Sequence, residues 1–246
     1  MAVLLQYNLT SDFAASTVAA NISGGIVTNN LLASFTRGTA GYDSDNVSSA
    51  GPTAGATSAA LAVTNGSYFF VTITPTSGNS MSLTTLTINM ARGGSSTPRG
   101  YQVRSSVDSF AASLGGADLD TVRPTWTAVS IDLSGAGFQT VTSTITFNIY
   151  VYSPSTGNVI DWDDLVINGT TAASGTLEQE GFRFRNDDGS ESAATWLAAQ
   201  DTNIIQPKTT NTRLRMLLNS TLNRGSEQYR LEYRAVGGST WTAITT

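Results

Sequence analysis

Apolar and polar residues alternate with a period of two along most of this chain, which predicts strands whose side chains point to opposite faces of a sheet. Met81 to Met90 sets Leu86, Ile88 and Met90 on one face. Trp126 to Leu133 does the same with Val129, Ile131 and Leu133, and Thr144 to Tyr152 with Ile145, Phe147, Ile149 and Val151. Ser67 to Thr74 is β-branched and aromatic, Gly100 to Ser105 places Tyr101 with Val103, and Ile160 to Asn168 closes the series. Short alternating strands separated by turn clusters predict a β-sandwich. No stretch has the period or the composition of a long helix.

Two stretches read as connections: Gly38 to Ala60, long and built of small polar residues, and Arg92 to Gly100. Connections as long as the first are usually functional, ordered by a partner or disordered. A small-residue linker, Gly169 to Gly175, marks a boundary. Beyond it Phe182 and Phe184 alternate with Arg183 and Arg185, Leu214, Met216 and Leu218 with Arg213 and Arg215, and Tyr229, Leu231 and Tyr233 with Arg230, Glu232 and Arg234. The expectation is an all-β chain. A jelly-roll-like sandwich over residues 1–172 is followed by a small immunoglobulin-like sandwich of six or seven strands over residues 173–246.

Composition narrows the chemistry. The 246 residues include no cysteine and no histidine, so no disulfide, thiolate nucleophile, Ser-His-Asp triad or imidazole metal site can be built. The remaining side chains suit only a hard, oxygen-seeking cation such as calcium. The net charge of −5 is unevenly placed. Residues 1–172 carry five arginines against ten aspartates, whereas residues 173–246 balance eight basic with eight acidic residues. That pattern argues against a nucleic-acid or anionic-membrane partner. The opening MAVLLQYNLTSDF lacks the basic and apolar regions of a secretory signal, and no apolar run reaches the length of a membrane helix. Six Asn-x-Ser/Thr sequons read as by-products of a Ser- and Thr-rich chain.

Two resemblances follow from particular residues. Tyr101 to Phe110 with Ile160 to Gly169 (IDWDDLVING) resembles the central and final strands of secreted bacterial jelly-roll domains, carbohydrate-binding modules among them. Such domains often end in an Asp-rich strand that supports a structural calcium. Gly181 to Ala199 (GFRFRNDDGSESAATWLAA), with Asp201 to Asn203 and Tyr229 to Trp241, resembles a small domain of phage virion proteins and some bacterial surface proteins. That resemblance implies a capsid-decorating, head-fibre or tail-associated protein.

The candidate site residues each have a functional and a plain reading. Asp161, Asp163 and Asp164 are the best cation candidates, because close carboxylates repel unless a positive charge sits among them. The plain reading is an acidic turn, with a bulge at Asp164 where the alternation breaks. Asp118 with Asp120, and Asp43 with Asp45, share the spacing but read as solvated loops. Asn186 to Ser190 reads as a hairpin turn. Arg183, Arg185, Arg213, Arg215, Arg230 and Arg234 are expected on one outward face, either as an interface for an acidic partner or as a solvated face with internal pairs. Tyr150 and Tyr152 lie opposite the apolar face of their strand and are candidates for glycan contact or an interface anchor. Trp126, Trp162 and Trp196 are expected in the core.

The functional expectation is a non-enzymatic virion protein of a tailed phage. It would be made without a signal peptide and would contact copies of itself and other virion proteins. The alternative is a carbohydrate-binding module or surface adhesin, calcium-stabilised and outside the cell, that binds a host-surface glycan. A paired-carboxylate glycosidase is the one enzyme class the composition admits. With no acidic residue in an evident apolar pocket, the chain is read as no enzyme.

Overall fold

A computed structural model describes residues 2–9, 12–37, 47–175, 177–190, 192–207, 209–221 and 230–243. The chain divides into two compact units, Met1–Ser174 and Gly175–Thr246. Asp43, Asp45 and the rest of 38–46 lie outside the described residues.

The first unit runs β1 (Ala2–Tyr7), β2 (Thr17–Val18), β3 (Ile22–Gly24), β4 (Thr28–Asn29), β5 (Ser34–Arg37), β6 (Ser48–Gly51), α1 (Ala59–Thr64) and β7 (Tyr68–Pro75). It continues through β8 (Asn79–Arg92), β9 (Gly100–Ser105), β10 (Gly115–Asp118), β11 (Thr127–Asp132), β12 (Ile145–Tyr152) and β13 (Ile160–Ala173). All pairings between these strands are antiparallel. One sheet has the order β11-β8-β13-β1-β2, with β6 joining β13 to β5. The other has the order β10-β9-β12-β7-β3, with β4 also on β7.

Strand β13 organises the first sheet. It pairs with β8 along its whole length, from Ile160 against Arg92 to Ala173 against Asn79. The register slips between Asp163 and Val166, where Asp164 takes a φ of 47°. Before this bulge the other edge of β13 is paired with β6, and after it with β1. A bulge bends its strand and re-aims the side chains around it. One edge can therefore serve two neighbours.

The inward faces of both sheets form one core, including Leu5, Phe69, Leu86, Ile88, Val103, Phe147, Ile149, Trp162 and Ile167. The alternating positions of β7, β8, β11, β12 and β13 fill it as their period requires. At its centre the Trp162 ring stacks on Phe69 at 4.7 Å, with Phe35 at 6.2 Å and Phe13 at 6.3 Å. Gly169 is a required glycine in β13, because a Cβ there would lie 2.3 Å from the Ser82 carbonyl.

One expectation needs correction. The part of the Gly38 to Ala60 connection that is described is no open loop. Ser48, Ala50 and Gly51 are buried in β6, since small residues let it lie close between β5 and β13. The one described α-helix, α1, begins behind Ser58, whose hydroxyl accepts from the Leu61 amide.

The second unit contains β14 (Leu177–Asn186), β15 (Thr212–Ser220), β16 (Glu232–Tyr233) and β17 (Thr242–Ala243). Its described residues form two two-stranded sheets, β14-β15 and β16-β17, where alternation led to an expectation of six or seven strands. Ala194 is the one buried hydrophobic side chain among them. No helix among the described residues is long and apolar enough to cross a membrane.

Replacing Trp162 by Ala should cost about 3–5 kcal/mol, the range for deleting a buried aromatic. Urea unfolding followed by far-UV circular dichroism measures it. A loss below about 1 kcal/mol would show that the stack does not hold the sheets together.

Candidate functional site

The three aspartates of β13 do not converge. Asp161 is only 4% exposed, and its carboxylate accepts a hydrogen bond from the Ser49 hydroxyl at 2.5 Å. Arg123 reaches its other oxygen at 3.6 Å. Asp163 accepts instead from the Asp164 amide at 2.7 Å, across the bulge. Alternation and the bulge send neighbouring carboxylates in different directions. No group of three acidic side chains able to hold a metal occurs among the described residues. The calcium reading of Asp161, Asp163 and Asp164 is therefore corrected: Asp161 has an arginine where a cation would sit. Burial holds its carboxyl above the ordinary range despite Ser49, Arg123 and the nearby Arg99. The ion pair thus recovers only part of the cost of taking the charge out of water.

Tyr150 and Tyr152 are 5% and 6% exposed. They point away from the main core, as their position in β12 requires, but α1 covers them. With Ala56 and Ala62 they form a second apolar cluster on the outer face of the β12 sheet. Neither ring is open to a glycan, which corrects the sugar-platform reading. The Tyr152 hydroxyl donates to Asp118 at 2.5 Å. Burial and that carboxylate push its pKa upward.

In the second unit, β14 and β15 set Arg183 opposite Arg215 and Arg185 opposite Arg213. Four arginines thus share one face of this hairpin, while Arg230 and Arg234 flank the separate β16-β17 sheet. Like charges directly opposite each other in a sheet are unfavourable unless something relieves them. Trp196 contributes that relief. Residues 195–201 run beside β14 through hydrogen bonds from Leu197 N to Phe184 O and from Asp201 N to Phe182 O. They bring the indole to 4.1 Å from the Arg183 guanidinium and 4.6 Å from that of Arg185. Each such contact stabilises by about 0.5–2 kcal/mol. Arg183 also donates to Ala198 O at 2.8 Å, Arg185 to Ala194 O, and Arg213 to Asp187 at 2.7 Å. Arg230 pairs with Glu232, and Arg234 lies 4.8 Å from the Trp241 ring.

Arg185 is 4% exposed, so the expectation of an outward position is corrected for it. Trp196, expected in the core, is 41% exposed under its arginines. A shallow cavity of about 280 Å³ opens among Arg183, Trp196, Gln200, Arg215 and Leu217. The other face of the hairpin carries Phe182, Phe184, Leu214, Met216 and Leu218. The last three are more than a third exposed, as are Leu217, Leu231, Tyr233 and Trp241 elsewhere in the unit. The turn is closed by Asp188, which accepts from the Thr195 amide at 3.1 Å and its hydroxyl at 2.7 Å. These bonds, the hydroxyl's first, hold the Asp188 carboxyl below its ordinary range.

No protein-family model and no curated protein matches this chain. Among solved structures, a cleaved adhesin domain of Lys-gingipain from Porphyromonas gingivalis shows a weak likeness. It covers 68% of this chain and 99% of that one, at 19% identity and a TM-score of 0.39. The glycoside hydrolase domain of Endo-D from Streptococcus pneumoniae shows a weaker one. It covers 91% of this chain and 36% of that one, at 13% identity and a TM-score of 0.31.

Two outcomes test this arrangement. Asp161→Ala should cost about 3 kcal/mol, because Arg123 is left buried without its carboxylate, and Asp161→Ala/Arg123→Met should recover more than half of the loss. Equal losses in both variants, read by urea unfolding, would place the cost elsewhere. For Asp188 the folded pKa is depressed, so its stabilisation is present above the ordinary carboxylate range and lost as pH falls through the folded value. The hydrogen-exchange protection of the Thr195 amide should therefore drop below about pH 4. Asp188→Asn should remove that dependence, and a protection profile that is flat in the wild type would refute it.

Proposed function

We propose that this chain is a non-enzymatic structural protein of a tailed-phage particle, which decorates or stabilises the capsid or forms a fibre or tail-associated part. It works by surface contact with copies of itself and with other virion proteins. The observation that carries this reading is the state of the second unit. Its apolar side chains are on the outside: Leu214, Met216 and Leu218 in a row on β15, with Leu231, Tyr233 and Trp241 also exposed. Contiguous apolar surface on a soluble chain marks an interaction site.

A second copy of the chain suits this surface. The apolar row is uncharged, and residues 173–246 as a whole balance eight basic with eight acidic groups. Like units therefore meet without net repulsion. Symmetric self-association is the usual way for such a patch to be hidden. Arg183 supports the same reading from the other side, because Trp196 and the Ala198 carbonyl hold it in a fixed position from which it can meet a partner's carboxylate. The likeness of Gly181 to Ala199 to small domains of virion proteins supports the particle as the place where this happens. The alternative, a carbohydrate-binding module or adhesin at a cell surface, draws support from a cavity in the first unit.

Size-exclusion chromatography with light scattering should give the full chain a mass that is a multiple of 25.8 kDa. Leu214→Asp/Met216→Asp should reduce it to one copy without loss of strand signal in circular dichroism. A single-copy mass for the unmodified chain at high concentration would sink this reading.

A further inference from the structure

We propose that a cavity at one end of the first unit binds a neutral, hydroxyl-rich ligand, a single sugar ring, through Asp118, Asp120 and Arg92. The cavity measures about 320 Å³ and lies between the turn that follows β8 and the segment that follows β10, with Thr97, Pro98, Arg99 and Leu119 in its walls. That volume is at the small end of the range for small-molecule sites, about 300–1,000 Å³. This inference is independent of the assembly proposed for the second unit.

The site is built rather than incidental. Arg92, the last residue of β8, straps its two walls together, donating to Ser95 O at 3.2 Å and to Asp120 O at 2.9 Å. Its third nitrogen, Nε, is buried and has no hydrogen-bond partner. Each of its two outer nitrogens keeps a second N–H, and these are the donors that would meet an acceptor on a ligand. Arg99 is buried and engaged through all three of its nitrogens. It donates to Ser96 O at 2.9 Å, Val159 O at 2.8 Å and Asn158 Oδ1 at 3.2 Å, and so fixes the wall rather than the ligand. Asp118 is positioned from beneath by the buried Tyr152 hydroxyl. That hydroxyl has room only because residue 100 is glycine, where a Cβ would lie 2.3 Å from it. Asp120 stands exposed at the rim.

The lining selects the ligand class by its charges. Two carboxylates repel a phosphate or an acidic sugar. Two guanidiniums beside them repel a metal ion. A ring of hydroxyls satisfies both kinds of group, because each hydroxyl can donate to Asp118 or Asp120 and accept from Arg92. Aspartate paired with arginine suits adjacent hydroxyls, and no group has to lose or gain a proton.

The test is a printed array of neutral hexose, deoxyhexose and N-acetylhexosamine oligosaccharides. Sialylated and uronate glycans and free amino acids serve as competitors, and the strongest neutral ligand is then titrated calorimetrically with the full chain. Binding to neutral glycans is expected, with affinity reduced at least tenfold by Asp120→Ala and by Asp118→Asn, the latter keeping an acceptor for Tyr152. Both variants should melt at the wild-type temperature, and Arg230→Ala, on the other unit, should bind as wild type. The proposal is overturned if no neutral glycan binds at millimolar concentration. It is equally overturned if only acidic glycans or amino acids bind, or if both aspartate variants bind undiminished.

Discussion

Everything in the first unit is positioned by the way β13 handles two incompatible neighbours. Trp162 faces inward and stacks on Phe69 in the other sheet, while Asp161, one residue earlier, faces outward and is tied to Ser49 of β6 and to Arg123. One residue pair therefore fixes the distance between the sheets and the strand order within one of them. The bulge at Asp164 lets the same edge pass from β6 to β1 without shifting the register against β8 by more than the bulge itself. A regular strand would have to give up one neighbour, since a one-residue slip exchanges its faces.

The two units meet the absence of cysteine in opposite ways. The first has a core wide enough to need no cross-link, and its arginines work as clamps on backbone carbonyls: Arg92 on Ser95 and Asp120, Arg99 on Ser96 and Val159, Arg104 on Phe110 and Ala111. The second has one buried apolar side chain among its described residues, and guanidinium–indole stacking with carbonyl hydrogen bonds takes the place of a core. Guanidinium is suited to both tasks because its planar fork donates in several directions and its faces tolerate an aromatic ring. A unit built this way is held locally and leaves its leucines exposed.

The long strands were legible because alternation is a property of consecutive residues. The six segments chosen from periodicity, from Ser67 to Asn168, correspond to β7, β8, β9, β11, β12 and β13. The bulge at Asp164 was legible for the same reason, as a break in that period. The strands β1 to β6 were not, being short or lacking any strong alternation. Tyr150 and Tyr152 show where periodicity stops informing. It places them correctly on the outer face of β12, but nothing in β12 reports that α1 will cover that face. The Ser58 cap before Ala59, Ala60 and Leu61 was the available signal, and a six-residue helix is too short for hydrophobic periodicity to mark. Asp161 failed similarly. Its partner Arg123 is distant in the chain, and an aspartate cluster looks the same whether a cation or a guanidinium answers it. The arginines of β14 and β15 were placed on one strand face by their spacing, yet the burial of Arg185 depends on Trp196, which comes from outside the pattern.

The placement of Tyr152 links the covered face to the cavity at the end of the sandwich. Its ring belongs to the apolar cluster under α1, and its hydroxyl belongs to Asp118. A phenol whose ionisation is suppressed by burial can only donate to that carboxylate, and so it orients one of the oxygens of Asp118, a residue that lines the cavity. Burying the tyrosines removed them as a sugar platform and made one of them a support for a polar site. In the ligand site proposed above, Tyr152 therefore acts indirectly, by holding the Asp118 carboxylate still.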